Sequence, residues 1–189
     1  IRDSHMGMPM VEGLRLVHNT LLGLHLRDQI KLGASGKIVS AFDIIRAMAM
    51  GADWCNSARG FMFALGCIQA QNCHTGHCPT GVTTQDPVRQ KALVVTDKAE
   101  RVKNFHHHTL DALKELLEAT GVHTPHQVSL RHIMRRISAT ESRPLSELYP
   151  TVVAGSLIDA RPLDLAQGGP IFERHWSSAN PRSWAPLHS

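Results

Sequence analysis

Aromatic side chains are scarce in this sequence: one Tyr, three Trp and five Phe make up 5% of 189 residues. With so few ring faces on which bases could stack, a single-strand nucleic-acid platform is excluded. Charge of one sign is in short supply as well. Twenty Lys plus Arg against sixteen Asp plus Glu leave a net charge of +4, well under the concentrated basic footprint of a nucleic-acid binder. No apolar run approaches the roughly 18 to 20 residues that span a bilayer, because the best candidate, 60–70, is interrupted by Gly66 and Gln69. The N-terminus lacks the charged-then-apolar layout of a signal peptide. Together these absences predict a cytoplasmic chain with no nucleic-acid or membrane partner. Four cysteines are too few at this length for a disulfide scaffold, which leaves thiol or metal chemistry.

What is present is enough to fold. A chain of this length falls within the ~100 to 200 residues of one domain, and 42% hydrophobic residues can fill a core. Apolar positions Val11, Leu14, Val17, Leu21, Leu24 and Leu26 predict an amphipathic helix over 10–28, with Pro9 suited to its first turn. Residues 30–34 read as a short buried strand running into a turn at Ser35 and Gly36. A helix over 41–50 ends at Gly51, where a C-cap glycine belongs. A second strand over 52–57 and a turn at Arg59-Gly60 lead to an apolar helical stretch over 61–68. Repeated strand-turn-helix units belong to the α/β class, with parallel strands joined by right-handed crossovers.

After these units the chain turns polar over 67–86 and reads as a loop. The spacing then predicts a helix over 98–120. Asp97 and Glu100 stand at capping-box spacing, Val102, Phe105, Leu110, Leu113, Leu116 and Leu117 form its core stripe, and Gly121 ends it. Residues 125–137 are expected to form another helix, within a helical extension over 122–149. Prolines at 144, 150, 162, 170, 181 and 186 predict an irregular tail over 150–189.

The constellation that carries chemistry is Cys67, Cys73 and Cys78, followed by Pro79. Thiolates are the ligands of iron-sulfur clusters, and a short loop lets one chain surround a compact inorganic core. Three cysteines without a fourth in the run suit a three-iron cluster. Zinc completed by His74 or His77 is the rival metal, although the spacing is not a pair of two-residue knuckles. Ordinary buried thiols are the third reading. Cys55, in the second strand, is expected to be a small core residue rather than a ligand. The triple His106-His107-His108 cannot share one ion from a helix, because neighbouring positions point about 100° apart.

The run from Gly51 to Asp86, which includes Ala-Arg-Gly-Phe-Met-Phe-Ala-Leu-Gly-Cys and Cys-His-Thr-Gly-His-Cys-Pro-Thr-Gly, resembles the FMN-binding glutamate synthase family. The likeness covers about 1–121. It implies that 1–121 is the C-terminal part of a (β/α)8 TIM barrel, with FMN at the C-terminal ends of the strands. It also implies a [3Fe-4S] cluster held by Cys67, Cys73 and Cys78. The turns Ser35, Gly36, Lys37 and Ser57, Ala58, Arg59, Gly60 resemble the family's FMN phosphate loops. Taken alone, such turns are common surface features. One departure is visible: better-known glutamate synthases carry an acidic residue and paired glycines where this chain has Ser35-Gly36-Lys37.

In that family the cluster and flavin exchange electrons, and the flavin reduces the imine formed from 2-oxoglutarate and ammonia. The implied partners are this small-molecule substrate pair, an electron donor such as ferredoxin or a nicotinamide-dependent subunit, and the N-terminal part of the barrel. Two or three strands cannot close a barrel of eight, so the substrate-contacting residues are expected outside this chain, and the chain by itself is expected to be inactive. The alternative from a different class is a metal-carrying binding module that performs no catalysis.

Overall fold

The computed structural model describes residues 7–158 and 165–182. The described chain mixes helix and strand and divides into two units. The first is drawn from segments 1–34, 46–55 and 124–189, the second from 35–45 and 56–123.

The first unit begins with helix α1, Met10–Gly23, capped at Pro9, whose carbonyl accepts the Gly13 N–H at 2.9 Å. The periodic face buries Leu14, but the helix also buries Arg15 and Asn19, at 6% and 1% exposure. Arg15 is made tolerable inside by its acceptors. Its guanidinium donates to the carbonyls of Met50 and Pro150, to Asn19 Oδ1 at 3.2 Å and to Thr151 Oγ1 at 2.7 Å. Desolvation lowers its pKa to about 10.

Helix α1 stops five residues short of the expected 28. Its last carbonyls are taken by a distant segment, with Gly155 N–H on Leu22 O and Leu157 N–H on Gly23 O, so the helix end is capped by tertiary partners. A Cβ at Gly23 would stand 2.5 Å from Leu157 Cγ.

Strands β1, Gly33–Ser35, and β2, Trp54–Asn56, pair with each other. Between them runs α2, Ala41–Ala49. Its start is fixed by a reciprocal cap: Ser40 Oγ accepts the Asp43 N–H, and Asp43 Oδ2 accepts the Ser40 N–H at 3.0 Å. Just before β2, Asp53 accepts the Leu32 N–H at 2.7 Å and pairs with Arg27 at 2.9 Å. Arg27 also donates to Gly51 O at 2.8 Å and to His18 Nδ1 at 3.2 Å.

Residues 125–137 are not the expected helix. They form two single 3₁₀ turns, Pro125–Gln127 and Leu130–His132, and then strand β3, Met134–Arg136. The reason is local. Gln127 Oε1 accepts the Thr124 N–H and His132 Nδ1 accepts the Ser129 N–H, both at 3.0 Å, and such side-chain partners compete with a continuing helix. β3 pairs antiparallel with β4, Ser142–Pro144, with Arg135 opposite Arg143, and a short helix α6, Leu145–Leu148, follows.

The segment expected to be irregular contains a helix, Gly169–Ser177, numbered α7 below. Pro170 does not break it because it sits in the first turn, where its missing N–H costs nothing. Phe172, 2% exposed, anchors α7, which packs against α1. Positions 159–164 and 183–189 of that expectation lie outside the described residues.

In the second unit, α3, Arg59–Leu65, packs on the long α5, Val95–Thr120, with Phe61 edge-on to Phe105 at 5.2 Å. Between them lies α4, Pro87–Gln90, capped by Asp86. α5 starts three residues before the expected 98. Its cap is Val94, and Asp97 instead occupies the first turn, where a negative charge suits the helix dipole. The expected stripe is only half covered: no residue of α5 is fully buried, and Leu110 is 47% exposed.

Candidate functional site

Both turns and the cysteine loop belong to the second unit. The first turn leaves β1 through Ser35, Gly36 at φ +142° and Lys37 at φ +55°. A left-handed lysine is costly, and it is held here by the burial of the next residue, Ile38, which is 2% exposed. Ser35, Gly36 and Lys37 are all exposed.

In the second turn, Ser57 donates its hydroxyl to Ile38 O at 2.9 Å. That bond ties the two turns together and commits the Ser57 proton. Gly60 is buried, and a Cβ there would meet Phe105 Cζ at 2.8 Å, so its missing side chain serves the α3–α5 contact. Ala58 and Arg59 are exposed. The exposed polar side chains at these turns are Ser35, Lys37 and Arg59.

The cysteine loop starts at Gly66, the left-handed cap of α3 at φ +105°, and Cys67 N–H returns to Met62 O at 3.0 Å. Gln69 and Gln71 take left-handed backbone, φ +57° and +58°, before a 3₁₀ turn at Cys73–Thr75. Thr84 donates to Gly76 O, Thr75 Oγ1 accepts the His77 N–H, and Gln90 donates to Thr84 O. These bonds fold the loop back on itself.

Cys67, Cys73 and Cys78 are free thiols and line one small cleft together with Met62, Thr80 and Thr83. Among the described residues, no three His, Cys, Asp or Glu side chains stand close enough to hold a metal ion as they are placed. The loop gathers the three sulfurs around one space without closing them to ligating distance. His74 and His77 are exposed and do not line it, which disfavours the zinc reading that needs one of them.

The Cys78 sulfur is the most strongly perturbed thiol. Its pKa is drawn down to about 6 by the Thr80 hydroxyl, then by the N–H groups of Thr83 and Thr80 and the Thr83 hydroxyl. Thr80 Oγ1 lies 3.4 Å from the sulfur. Thr83 Oγ1 is buried with no hydrogen-bond partner of ordinary geometry. Sulfur surrounded by donors is the setting of a ligand thiolate, so the donor set fits an iron-sulfur cluster. The sequence reading missed both threonines. Their only signal was a hydroxyl residue two and again five positions after Cys78.

Cys55 lies in β2, half-buried, and burial pushes its thiol up. It belongs to the first unit, whereas the three loop cysteines belong to the second. His106, His107 and His108 are exposed along α5, with His106 tilted against Phe61.

The family model described as a conserved region in glutamate synthase matches residues 2–123, which contain both turns and the whole cysteine loop. The chain belongs to the glutamate synthase family. It is 43% identical over 131 residues to the glutamate synthase large subunit-like protein YerD of Bacillus subtilis, covering 69% of this chain and 25% of that protein. It is 36% identical over 121 residues to the archaeal glutamate synthase [NADPH] of Methanocaldococcus jannaschii, covering 64% and 24%. It is 36% identical over 119 residues to ferredoxin-dependent glutamate synthase 2 of Synechocystis, covering 62% and 8%. The chain thus spans a quarter or less of the length of these relatives. Among the described residues no helix is long and apolar enough to cross a membrane.

Proposed function

We propose that this chain is the C-terminal part of a glutamate synthase-like oxidoreductase, in which it supplies the iron-sulfur loop and the phosphate-binding turns of a (β/α)8 barrel. The observation that carries this reading is the convergence of Cys67, Cys73 and Cys78 on one cleft, within the residues that match the family. The reaction is reductive amination of 2-oxoglutarate to glutamate, with ammonia free or derived from glutamine. When bound, FMN and a [3Fe-4S] cluster supply the electron and hydride transfer.

The chain's own part is to hold and orient. Cys67, Cys73 and Cys78 ligate the cluster, and the loop bonds around Thr75 and Thr84 fix where those sulfurs sit. At the turns, the exposed Lys37 and Arg59 neutralise the phosphate of FMN, with Ser35 as hydroxyl donor. Gly36 lets the backbone come close. Ser57 orients the second turn through Ile38 O, and Gly60 sets α3 against α5. The electron donor is ferredoxin or a nicotinamide-dependent subunit; relatives' names carry ferredoxin in one case and NADPH in another.

Substitution in the full-length protein tests the ligand assignment. Cys73→Ser abolishes the cluster's visible absorption, whereas Cys55→Ser leaves it intact. Equal loss in the two variants would refute the assignment.

A further inference from the structure

Thr80 and Thr83 stand out because nothing else in the fold uses their hydroxyls. A buried hydroxyl normally finds an acceptor, since leaving its hydrogen unbonded forfeits the bond it made to water. Thr83 Oγ1 is buried with no hydrogen-bond partner of ordinary geometry, and its residue lines the cleft shared by the three cysteines. Thr80 lines the same cleft and places its hydroxyl 3.4 Å from Cys78 Sγ. The backbone keeps both residues in place: Gly81 N–H bonds Cys78 O, and Gly81, at φ +76°, is packed under the Arg89 carbonyl so tightly that a Cβ would overlap it. The loop's imidazoles do not compete for this role, because His74 and His77 lie outside the cleft.

We infer that the hydroxyls of Thr80 and Thr83 donate hydrogen bonds to sulfur at the Cys78 corner of the bound cluster and thereby raise its reduction potential. The inference rests on the cluster reading given above. Its physical basis is that an added electron increases negative charge on the sulfurs, so donors aimed at them favour the reduced form. Both threonines act on the cluster directly, through these hydrogen bonds. Removing the donors makes the cluster harder to reduce and slows its filling by the electron donor.

The test is a redox titration of the full-length holoprotein, followed by electron paramagnetic resonance, for the parent, Thr83→Val, Thr80→Val, the double variant and Thr83→Ser. Valine keeps the shape and deletes the hydroxyl, whereas serine keeps the hydroxyl. The expected result is full iron and sulfide content in every variant, with the midpoint moved to lower potential in each valine variant and furthest in the double. A tenfold change in the oxidised-to-reduced ratio at fixed poise corresponds to about 59 mV for one electron. Thr83→Ser restores the parent midpoint. A fully loaded double variant with the parent midpoint overturns the inference and leaves the cluster reading standing. A parent protein without iron and sulfide overturns the cluster reading itself. If Thr83→Val assembles no cluster, Thr80→Val decides the matter, and an unshifted midpoint there overturns the inference.

Discussion

Replacing His18 by Gln removes one titration from the latch that holds the approaches to β1 and β2, and the structure sets the size of the effect. His18 is held neutral: burial, then the charges of Arg15 and Arg27, lower its pKa from 6.5 to about 4, against opposing contributions from Gly51 and Asp53. Its Nδ1 accepts from Arg27 Nε, while Arg27 grips Asp53. Because the folded pKa lies below the unfolded one, the unfolded chain binds more protons between those two values. The contribution is fully present above about pH 6.5 and is lost as pH falls toward 4. Two-state linkage gives a loss of about 2 kcal/mol between pH 7.5 and pH 5. For a chain of this size that corresponds to a fall in Tm of roughly 4 to 8 °C. Asp53 adds in the same direction at lower pH. Burial acts to raise its pKa but is outweighed by the Leu32 N–H and by Arg27 and Lys31, so its pKa is lowered. Thermal unfolding at the two pH values, for the parent and His18→Gln, is the assay. Gln can still accept from Arg27 but does not titrate, so its curve is flatter by about 2 kcal/mol. Equal acid losses in the two proteins would refute the reasoning.

Three further outcomes follow from the packing. Phe172→Ala costs about 3 to 5 kcal/mol, read by urea unfolding; a loss under about 1 kcal/mol would mean that α7 is not anchored through this side chain. Gly81→Ala forces a side chain into a left-handed position against the Arg89 carbonyl, at about 3 kcal/mol, and should increase proteolytic cutting in the cysteine loop; an unchanged digestion pattern would contradict that placement. In the full-length protein, Arg59→Ala weakens FMN retention more than Ser57→Ala, whose hydroxyl is committed to Ile38 O. Flavin fluorescence titration reads both, and the reverse order would contradict the assigned roles.

The centres of α1, α2 and α5 were legible because a 3.6-residue apolar period is a local signal, to which α2 and α5 add a terminal glycine. What ends α1 was not, since Gly155 and Leu157 take its carbonyls from far along the chain. The expected helix over 125–137 failed for the opposite reason. Thr124 and Ser129 begin side-chain-closed turns, a local alternative that hydrophobic spacing does not register. The burial of Arg15 on α1 carries no local signal, since it depends on the convergence of Met50, Pro150 and Thr151 around its guanidinium. At the candidate site the cysteines announced themselves by spacing. Thr80 and Thr83 did not, because a loop threonine is usually solvated, and their significance depends on the fold turning them toward sulfur. Ser57 shows the converse: a hydroxyl read as a ligand donor is used inside the protein.

Chemical analysis of the full-length protein purified without oxygen tests the central claim most directly. The account predicts bound flavin together with iron and acid-labile sulfide in the proportion of a three-iron cluster. Colourless protein free of iron, or protein carrying zinc and no sulfide, would contradict it.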